Sequence, residues 1–412
     1  MTAGEVLPLT ATVEPATQSE LVEQVRAAFG SDTPLYPIGG GTSLGYGVPP
    51  KQKGLGVRLT GLNRIVDYPA RDMTITVEAG ITMSVLAAEL AREGQRLPVD
   101  AAQSDRATLG GLIATNFSGP RRYGYGTLRD YVIGISAVDG RGTPFKAGGR
   151  VVKNVAGYDL CKLLTGSLGT LAVISQVTLK VRPGCEATAF IECRPADWDA
   201  AERLLAGLVT SRTMPVAIEL LRGPYWQENA GDGGDDSAVG QLLVGFEGSK
   251  LEVDWQIEQL GREWREQAVE VAADHRDEMA ANLWRRLTEF SAQSAPLVLK
   301  AHLRPSAVTS FMQLLVRIEP RASLQAHAGN GTIIASLAEF SAGDAARVIV
   351  QQLQPAAVAA GGGLVVLSCA AGELTRQATW GNAPGDAALM RAVKEQFDPK
   401  GLLNPGRFVY GV

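Results

Sequence analysis

In the stretch Pro37-Ile38-Gly39-Gly40-Gly41-Thr42-Ser43, the glycines directly follow a predicted strand at residues 35–38. These three consecutive glycines carry no Cβ atoms, so the backbone N–H groups of the turn are open to a ligand. Successive N–H groups in such a turn form a concavity that binds anions. The stretch therefore predicts a turn that can cradle a pyrophosphate.

Two further glycine-rich regions lie in the first half of the chain. Residues 108–116 (TLGGLIATN) combine glycines, hydroxyls and an amide. Residues 154–160 (NVAGYDL) and 166–171 (GSLGTL) form the other region, whose glycines predict that another group approaches the backbone closely. Any one of them alone is as compatible with a tight turn that binds nothing. The sequence has no complete G-x-G-x-x-G and no G-x-x-x-x-G-K-[ST], so neither a Rossmann nor a P-loop nucleotide site is supported.

The elements around these regions predict an α+β domain. A capping box at Thr17 starts a helix that stops at Gly30, and a second helix runs from about Thr82 to Gly94. Short β-type runs separate them. Residues 132–138, followed by an Asp-Gly turn, predict a hairpin, and residues 171–181 alternate like a long strand that Pro183 ends.

The pattern of elements changes after residue 183. Strands are predicted near residues 189, 216 and 242, with helices near residues 197 and 250. Residues 297–303, 306–318, 324–328, 333–337 and 342–360 then predict strand, helix, strand, strand and helix. This order predicts a ferredoxin-like α+β domain.

Composition excludes several classes of protein. With 412 residues, 45% of them hydrophobic, the chain can fill the cores of two or three domains. A net charge of −4 without a long basic run argues against a nucleic-acid surface. The four cysteines include no C-x-x-C pair, so iron–sulfur and zinc-ribbon ligand sets are missing. With neither a signal peptide nor an apolar span of ~18 residues, the expected location is cytoplasmic, with any contact at the inner face of the membrane made through partners.

The order of the motifs resembles a known family. Pro-x-Gly-Gly-Gly-Thr, then residues 72–80 (DMTITVEAG), then Thr-Leu-Gly-Gly are similar to the vanillyl-alcohol oxidase type (PCMH-type) FAD-binding domain over residues 15–183. Residues 150–160 and 397–407 resemble the D-lactate and glycolate dehydrogenase branch. Within that branch, the Gly-Ser-Leu-Gly-Thr form and the short C-terminal half are most similar to the flavin subunits of glycolate oxidase called GlcE.

The resemblance implies a domain organisation and a cofactor. An FAD-binding domain would cover residues 1–183, a ferredoxin-like cap or substrate domain residues 184–395, and a C-terminal segment, 396–412, would return to the flavin domain. FAD would be held noncovalently, because His275, His302 and His327 all lie beyond the flavin domain. The implied FAD-binding residues are Pro37, Gly39, Gly40, Gly41, Thr42, Ser43, Thr108, Gly110, Gly111, Ala114, Asn116, Gly157, Gly169 and Ile174.

The substrate side departs from the pattern of that branch. Its His-x-Gly-Asp-Gly-Asn-x-His motif, which helps to build a metal-assisted site, is reduced here to His327 with Asn330 at the acidic position and Ile334 at the second histidine. No bound metal is therefore expected. Leu287 also replaces an arginine that follows Trp284 by three residues in active relatives.

Three residues remain candidates for catalysis: His327, Lys300 and Asn404. Lys300 and His302 alternate to one face of a predicted strand and could contact an anion, although an exposed polar face explains them equally well. His327 could equally be a buried, hydrogen-bonded histidine. Asn404 could simply cap the turn before Pro405.

Three functions are compatible with these observations. In the first, the chain is the FAD-binding subunit of a glycolate oxidase complex, which oxidises glycolate to glyoxylate together with a catalytic flavin subunit and an iron–sulfur subunit. In the second, it is a self-sufficient FAD-dependent oxidase or dehydrogenase of another hydroxy acid, a sugar or a lactone. In the third, it is an assembly subunit with an empty flavin site. The eroded substrate motif favours the first.

Overall fold

The computed structural model describes residues 6–150, 158–227, 239–340, 342–370, 374–383 and 385–409. The chain forms two compact units. The first comprises Met1–Ser118, Thr127–Gly184 and Asn382–Val412, and the second comprises Gly119–Gly126 and Cys185–Gly381. Within the described ranges, no helix is both long enough and apolar enough to cross a membrane.

The first unit begins with a small parallel sheet. It contains β1 (Leu9–Val13), β2 (Leu35–Ile38) and β3 (Gly54–Arg58) in the order β1-β3-β2. Helix α1 (Gln18–Gly30) is capped by the Thr17 hydroxyl, which accepts a hydrogen bond from the backbone N–H of Glu20. The buried face of α1 packs on this sheet, as the apolar spacing of its sequence predicts. The glycine-rich turn at residue 39 starts where β2 ends.

A five-stranded antiparallel sheet forms the rest of the first unit. Its strands are β4 (Ile65–Asp67), β5 (Thr74–Glu78), β7 (Val132–Asp139), β8 (Pro144–Gly148) and β9 (Ala172–Lys180), in the order β4-β5-β9-β7-β8. β6 (Gln95–Arg96) pairs separately with β10 (Arg182–Pro183). The helices are α2 (Met83–Arg92), α3 (Leu109–Thr115) and α4 (Leu160–Leu164), with single turns at Ala70–Asp72 and Leu128–Tyr131.

The second unit contains the predicted ferredoxin-like pattern twice. The first repeat is β11 (Ala187–Cys193), α5 (Trp198–Val209), β12 (Ala217–Arg222), β13 (Gln241–Gly248), α6 (Lys250–Glu266) and β14 (Val271–Arg276). The second is β15 (Leu297–His302), α8 (Val308–Ile318), β16 (Ser323–His327), β17 (Thr332–Leu337), α9 (Ala342–Val348), α10 (Gln354–Ala359) and β18 (Gly363–Cys369). Helix α7 (Asp277–Glu289) connects the repeats, and α11 (Arg376–Trp380) follows them.

The two repeats join edge to edge into one sheet of eight strands. Their strand order is β14-β11-β13-β12-β16-β17-β15-β18, with β12 and β16 paired antiparallel at the junction. Alternate residues such as Leu220 and Leu324 enter the apolar core. Because side chains alternate along a strand, Glu219, Gln325 and Lys300 lie on the opposite face of this sheet. The second unit thus has one apolar sheet face, and a second face that mixes these polar residues with buried apolar ones such as Leu221 and Ile334.

Apart from a one-residue shift at Gly184, the compact units differ in two places from the expected bounds of 1–183, 184–395 and 396–412. Gly119–Gly126 belongs to the second unit, where the Gly124 N–H donates to the Val216 carbonyl at 3.1 Å. The C-terminal return already begins at Asn382 and includes helix α12 (Ala387–Phe397). Both assignments depend on contacts between residues far apart in the chain, which local composition does not encode.

Candidate functional site

A cleft of about 440 Å³, counting the solvent at its open mouth, lies in the first unit between the three glycine-rich regions. Its walls combine turns and apolar strand positions. The lining residues are Pro37, Gly39, Leu59, Ala79, Thr108, Gly110, Gly111, Ala114, Leu168, Gly169, Ala172, Val173, Ile174 and Asn404. The structure therefore brings together predicted residues from all three described glycine-rich segments, at residues 37–39, 108–114 and 169–174.

The first glycine-rich turn offers a row of backbone donors. From Gly39 to Gly45, no backbone N–H donates a hydrogen bond to an acceptor in the described part of the chain. Gly41 has φ +73°, a backbone conformation that glycine adopts readily. A Cβ on Gly40 would lie 1.6 Å from the Arg106 carbonyl oxygen, so the turn also needs glycine for its own packing. Unpaired donors in such a turn suit an anionic ligand.

The second region forms the N-terminus of α3. Thr108 caps this helix, because its hydroxyl accepts a hydrogen bond from the Gly111 N–H at 3.3 Å. A Cβ on Gly39 would lie only 2.2 Å from the same hydroxyl, and one on Gly110 would lie 2.9 Å from Ala79. Glycine at these two positions lets the turn, the helix and the end of β5 approach closely. The cleft depends on that approach.

The third region and the C-terminal segment form another wall of the cleft. Gly169 has φ +66°, and Ile174 lies on β9. The buried amide of Asn404 donates to the Leu168 carbonyl at 2.7 Å. Asn404, a predicted catalytic residue, thus lies in the first unit with its amide committed to the backbone, whereas His327 and Lys300 belong to the second unit.

Some predicted cofactor residues do not line the cleft. Gly40, Gly41, Thr42 and Ser43 continue the first turn beyond Gly39, and Asn116 ends helix α3 with φ +48°. The buried Oδ1 of Asn116 has no hydrogen-bond donor among the described residues. The remaining predicted residue, Gly157, lies outside the described residues.

A buried lysine that no sequence motif indicated supports the cleft. Lys394 Nζ donates to the Thr170 carbonyl at 2.6 Å, to the Leu403 carbonyl at 3.0 Å and to Asp398 Oδ2 at 2.6 Å. Burial lowers the pKa of Lys394, and Asp398 opposes that change. Leu403 directly precedes the lining residue Asn404. Only the i,i+4 spacing of Lys394 and Asp398 could have indicated the pair.

A second missed residue lies beneath the first turn. Arg407 Nη2 donates to the carbonyls of Leu44 and Tyr46 at 2.6 and 2.7 Å. Its own carbonyl accepts the Val48 N–H at 3.0 Å. Burial lowers the pKa of Arg407 to about 10. The C-terminal segment therefore holds the turn through both backbone and side chain.

In the second unit, His327 is paired with a carboxylate that the sequence did not reveal. Its Nδ1 lies 2.8 Å from both carboxylate oxygens of Glu219. Gln325 Nε2 donates to Glu219 Oε2 at 2.9 Å. His327 is 3% exposed and Glu219 is fully buried, so the pair lies inside the protein. The register Glu219 to His327 across β12 and β16 brings them together.

The rest of the altered substrate motif has no ionisable groups. Ile334 is buried on β17, and both polar atoms of the Asn330 amide are buried without a partner among the described residues. In the same ranges, no three His, Cys, Asp or Glu side chains cluster as metal ligands would. The predicted absence of a metal stays a prediction.

Lys300 and His302 lie on one face of β15. Burial, followed by the charge of Arg122, lowers the pKa of Lys300 to about 8. The same two causes, with Lys300 itself, lower the pKa of His302, whose Nδ1 lies 2.9 Å from the Thr332 hydroxyl. Positive charges of the second unit thus converge at this strand.

Arg285 and Arg286, which follow Trp284, do not replace the arginine of active relatives at position 287, because both side chains bond elsewhere. Leu287 is buried, Arg285 bonds to Asn282, and Arg286 bonds to the Tyr225 carbonyl. Instead Arg121 lies over the Trp284 ring, 3.9 Å from its centroid, and pairs with the buried Glu247 at 2.8 Å. The sequence did not indicate this contact, because more than 160 residues separate the two side chains.

Comparison with known proteins identifies both parts of the chain. A family model described as an FAD binding domain matches residues 9–148, and one described as FAD linked oxidases, C-terminal domain, matches residues 185–408. Glycolate oxidase subunit GlcD of Bacillus subtilis is 26% identical over 96% of this chain and 88% of its own length. Glycolate oxidase subunit GlcE of Escherichia coli is 38% identical over 40% of this chain and 46% of its own length.

Other similar proteins extend over nearly the whole chain. A D-2-hydroxyglutarate dehydrogenase of Xanthomonas citri pv. viticola is 27% identical over 95% of this chain and 88% of its own length. A solved structure of alkyldihydroxyacetonephosphate synthase superposes with a TM-score of 0.70 at 19% identity, covering 96% of this chain and 75% of its own. That likeness shows a shared fold.

The residues present fit FAD as the cofactor. The cleft brings the three glycine-rich regions together, and the free N–H groups from Gly39 to Gly45 suit the phosphates of a dinucleotide. The match to the C-terminal domain of the family covers more than half of the chain. FAD is the cofactor that both family models name. The chain belongs to the FAD-linked oxidases.

Proposed function

We propose that the chain is the FAD-binding subunit of a glycolate oxidase complex, which oxidises glycolate to glyoxylate and passes electrons through FAD to an iron–sulfur partner. The observation that carries the proposal is the contrast between the two units. The first keeps a glycine-lined cleft with free N–H donors, whereas the substrate motif of the second has its histidine bonded to Glu219 and an apolar Ile334. Two relatives named as glycolate oxidase subunits support it.

Oxidation of a 2-hydroxy acid needs a cation for the carboxylate and a base for the hydroxyl proton. Bound FAD supplies the acceptor for the hydride. His327 is buried and its Nδ1 is held by Glu219, so only its Nε2 could accept a proton from a substrate. Lys300, with a pKa of about 8, is the better candidate to meet a carboxylate. The chain therefore cooperates with a catalytic flavin subunit, as an electron relay or a scaffold.

The electron acceptor in this proposal is a separate subunit. The four cysteines, Cys161, Cys185, Cys193 and Cys369, are too far apart in sequence to form a cluster-ligand run. The complex would lie in the cytoplasm, with any membrane contact made through its partners.

One observation favours a self-sufficient dehydrogenase of another hydroxy acid. The similarity to a D-2-hydroxyglutarate dehydrogenase covers almost the whole chain, and the positive charges near Lys300 could hold a carboxylate. The third possibility, an assembly subunit with an empty flavin site, is disfavoured by the unpaired N–H groups of the first turn.

Anaerobic reduction of the bound flavin distinguishes these functions. The purified chain, mixed with glycolate or D-lactate, should reduce its FAD several powers of ten more slowly than a complete dehydrogenase, because groups that stabilise charge and accept the proton are missing. Adding a homologous catalytic flavin subunit and an iron–sulfur subunit should restore glycolate oxidation. The measurement is flavin absorbance in a stopped-flow instrument.

A variant separates catalysis by this chain from catalysis by its partner. Lys300→Met should leave activity of the reconstituted complex within about twofold if the partner oxidises glycolate. Flavin bleaching by glycolate in the isolated chain at turnover-competent rates, abolished by Lys300→Met, would instead identify a self-sufficient dehydrogenase and refute the accessory role.

A further inference from the structure

Arg407 is a buried cation whose side-chain hydrogen bonds all go to backbone carbonyls. It is 5% exposed, and its guanidinium donates to Leu44 and Tyr46. No carboxylate forms an ion pair with it in the described part of the chain. A buried positive charge without a carboxylate is costly. Such a charge indicates that an anion can be held close by.

The two peptide groups that bond to Arg407 also orient backbone N–H groups of the turn. In a trans peptide the C=O and the N–H point in opposite directions. Because the Leu44 and Tyr46 carbonyls point to the guanidinium, the N–H groups of Gly45 and Gly47 point away from it. Neither N–H donates to a protein acceptor in the described residues, so they extend the donor row that begins at Gly39. An anion on the N–H side of the turn is therefore attracted by the peptide dipoles and, through the turn, by the guanidinium on the carbonyl side.

The packing around Arg407 leaves little freedom. A Cβ on Gly47, which has φ +95°, would lie 2.7 Å from the Arg407 carbonyl oxygen. Arg106 adds a second, exposed guanidinium, 3.4 Å from the Gly40 carbonyl. The turn is thus bordered by two arginines, one buried and one exposed.

We propose that Arg407 is a positioning residue for the FAD pyrophosphate: it fixes the first glycine-rich turn through its carbonyls and supplies the buried positive charge that balances the diphosphate. The proposal rests on the assignment of this turn to the pyrophosphate. If Arg407 has this role, the affinity for FAD depends on the C-terminal segment, which lies more than 350 residues after the turn in sequence.

Substitutions that separate charge from hydrogen bonding test the proposal. Arg407→Lys keeps the charge, whereas Arg407→Gln keeps a donor without charge. FAD would be removed from the full chain, and the affinity of the apoprotein measured by quenching of flavin fluorescence. Arg407→Gln should weaken FAD and ADP binding roughly ten- to a hundredfold, the range for one unit charge acting through partly buried protein. Arg407→Lys should recover most of it.

One control variant tests for a general effect of losing an arginine that bonds to the backbone, and one ligand without phosphate tests whether the effect depends on the diphosphate. Arg304→Gln removes another arginine that donates to carbonyls, those of Ala359 and Ala360, and should leave the affinity for FAD unchanged. Riboflavin, which has no phosphate, should bind all variants equally. Equal FAD affinity of Arg407→Gln and Arg407→Lys, or an equal loss for riboflavin and FAD, would overturn the proposal.

A measurement on the unmodified chain covers the case in which the variants do not fold. ADP should bind more tightly than adenosine, and the ratio of their affinities should persist in 0.5 M salt, because a buried charge is screened less than an exposed one. A ratio that disappears in salt would mean that exposed groups such as Arg106 hold the diphosphate, and would refute the role of Arg407. If Gly41→Ala also left FAD binding unchanged, the assignment of the turn itself would be wrong.

Discussion

At the scale of single residues, the glycines of the first turn are required for different physical reasons. A Cβ on Gly40 would overlap the Arg106 carbonyl, so the protein's own packing demands glycine there. A Cβ on Gly41 would meet no atom closer than 3.7 Å, and its constraint is the φ of +73°. Gly41 is therefore the better probe of ligand binding, because its substitution does not cause a collision within the protein.

Gly41→Ala should weaken FAD binding at least tenfold, because a methyl group next to the free N–H row hinders close approach of phosphate. Gly94→Ala is the matched control: Gly94 has φ +62°, and an added Cβ would meet nothing within 4 Å. Each substitution should lower the free energy of unfolding by about 1 kcal/mol, because alanine is disfavoured in the left-handed backbone conformation. Chemical denaturation of the apoproteins and FAD titration measure the two effects.

Only the Gly41 variant should lose FAD affinity. Parallel losses in both variants would show that general destabilisation is responsible, and unchanged affinity in both would place the pyrophosphate elsewhere.

At the scale of elements, helix α12 is fixed to the rest of the first unit by Lys394, which donates to the Thr170 carbonyl and also forms a buried ion pair at the end of the helix. Lys394 bonds to Asp398, and Asp398 in turn accepts the N–H groups of Leu402 and Leu403. The segment that follows carries Asn404 into the cleft wall. Docking of α12 and the shape of the cleft are therefore coupled.

Lys394→Met should destabilise the protein by about 3–5 kcal/mol, because the buried Asp398 carboxylate loses its cation. The exposed pair of Lys250 and Asp254 has the same residue types, i,i+4 spacing and 2.6 Å separation, so Lys250→Met is a matched control that should cost less than about 1 kcal/mol. Urea unfolding measures both. Similar small losses in the two variants would mean that α12 docks without the ion pair. FAD affinity should fall in the Lys394 variant alone.

At the scale of the whole molecule, the residues that could tether FAD are distributed unevenly between the two units. His275, His302 and His327 all belong to the second unit, whereas the glycine-lined cleft lies in the first. Cys161 is in the first unit, but burial raises the pKa of its thiol to about 11, so it stays protonated and unreactive at neutral pH. The first unit itself therefore offers neither a histidine nor a reactive cysteine as a tether.

The chain should therefore release its flavin intact as FAD when it is denatured by acid or heat. Absorbance of the supernatant at flavin wavelengths and chromatography against FAD and FMN measure the release. Substituting all three histidines with Gln should not change the fraction released. Flavin that stays with the precipitated polypeptide would contradict noncovalent binding.

The sequence by itself determined the local features of this protein. Glycines that lack a Cβ located the glycine-rich regions, the Asp-Gly pair predicted the hairpin at β7 and β8, and apolar alternation predicted the ferredoxin-like order of the second half. These signals work because backbone freedom and side-chain alternation are properties of neighbouring residues. The predicted order in fact occurs twice, and only strand pairing shows that the two repeats share one sheet.

Only the tertiary structure decided which distant groups meet. Glu219 reaches His327 because β12 and β16 pair at the junction of the repeats, and Lys394 and Arg407 reach carbonyls that lie 224 and 363 residues away in the chain. Burial lowers the pKa of Lys394 and of Arg407, since removal from water disfavours the charged form. Burial and long-range pairing depend on how the whole chain packs, so no local pattern of residues contains them.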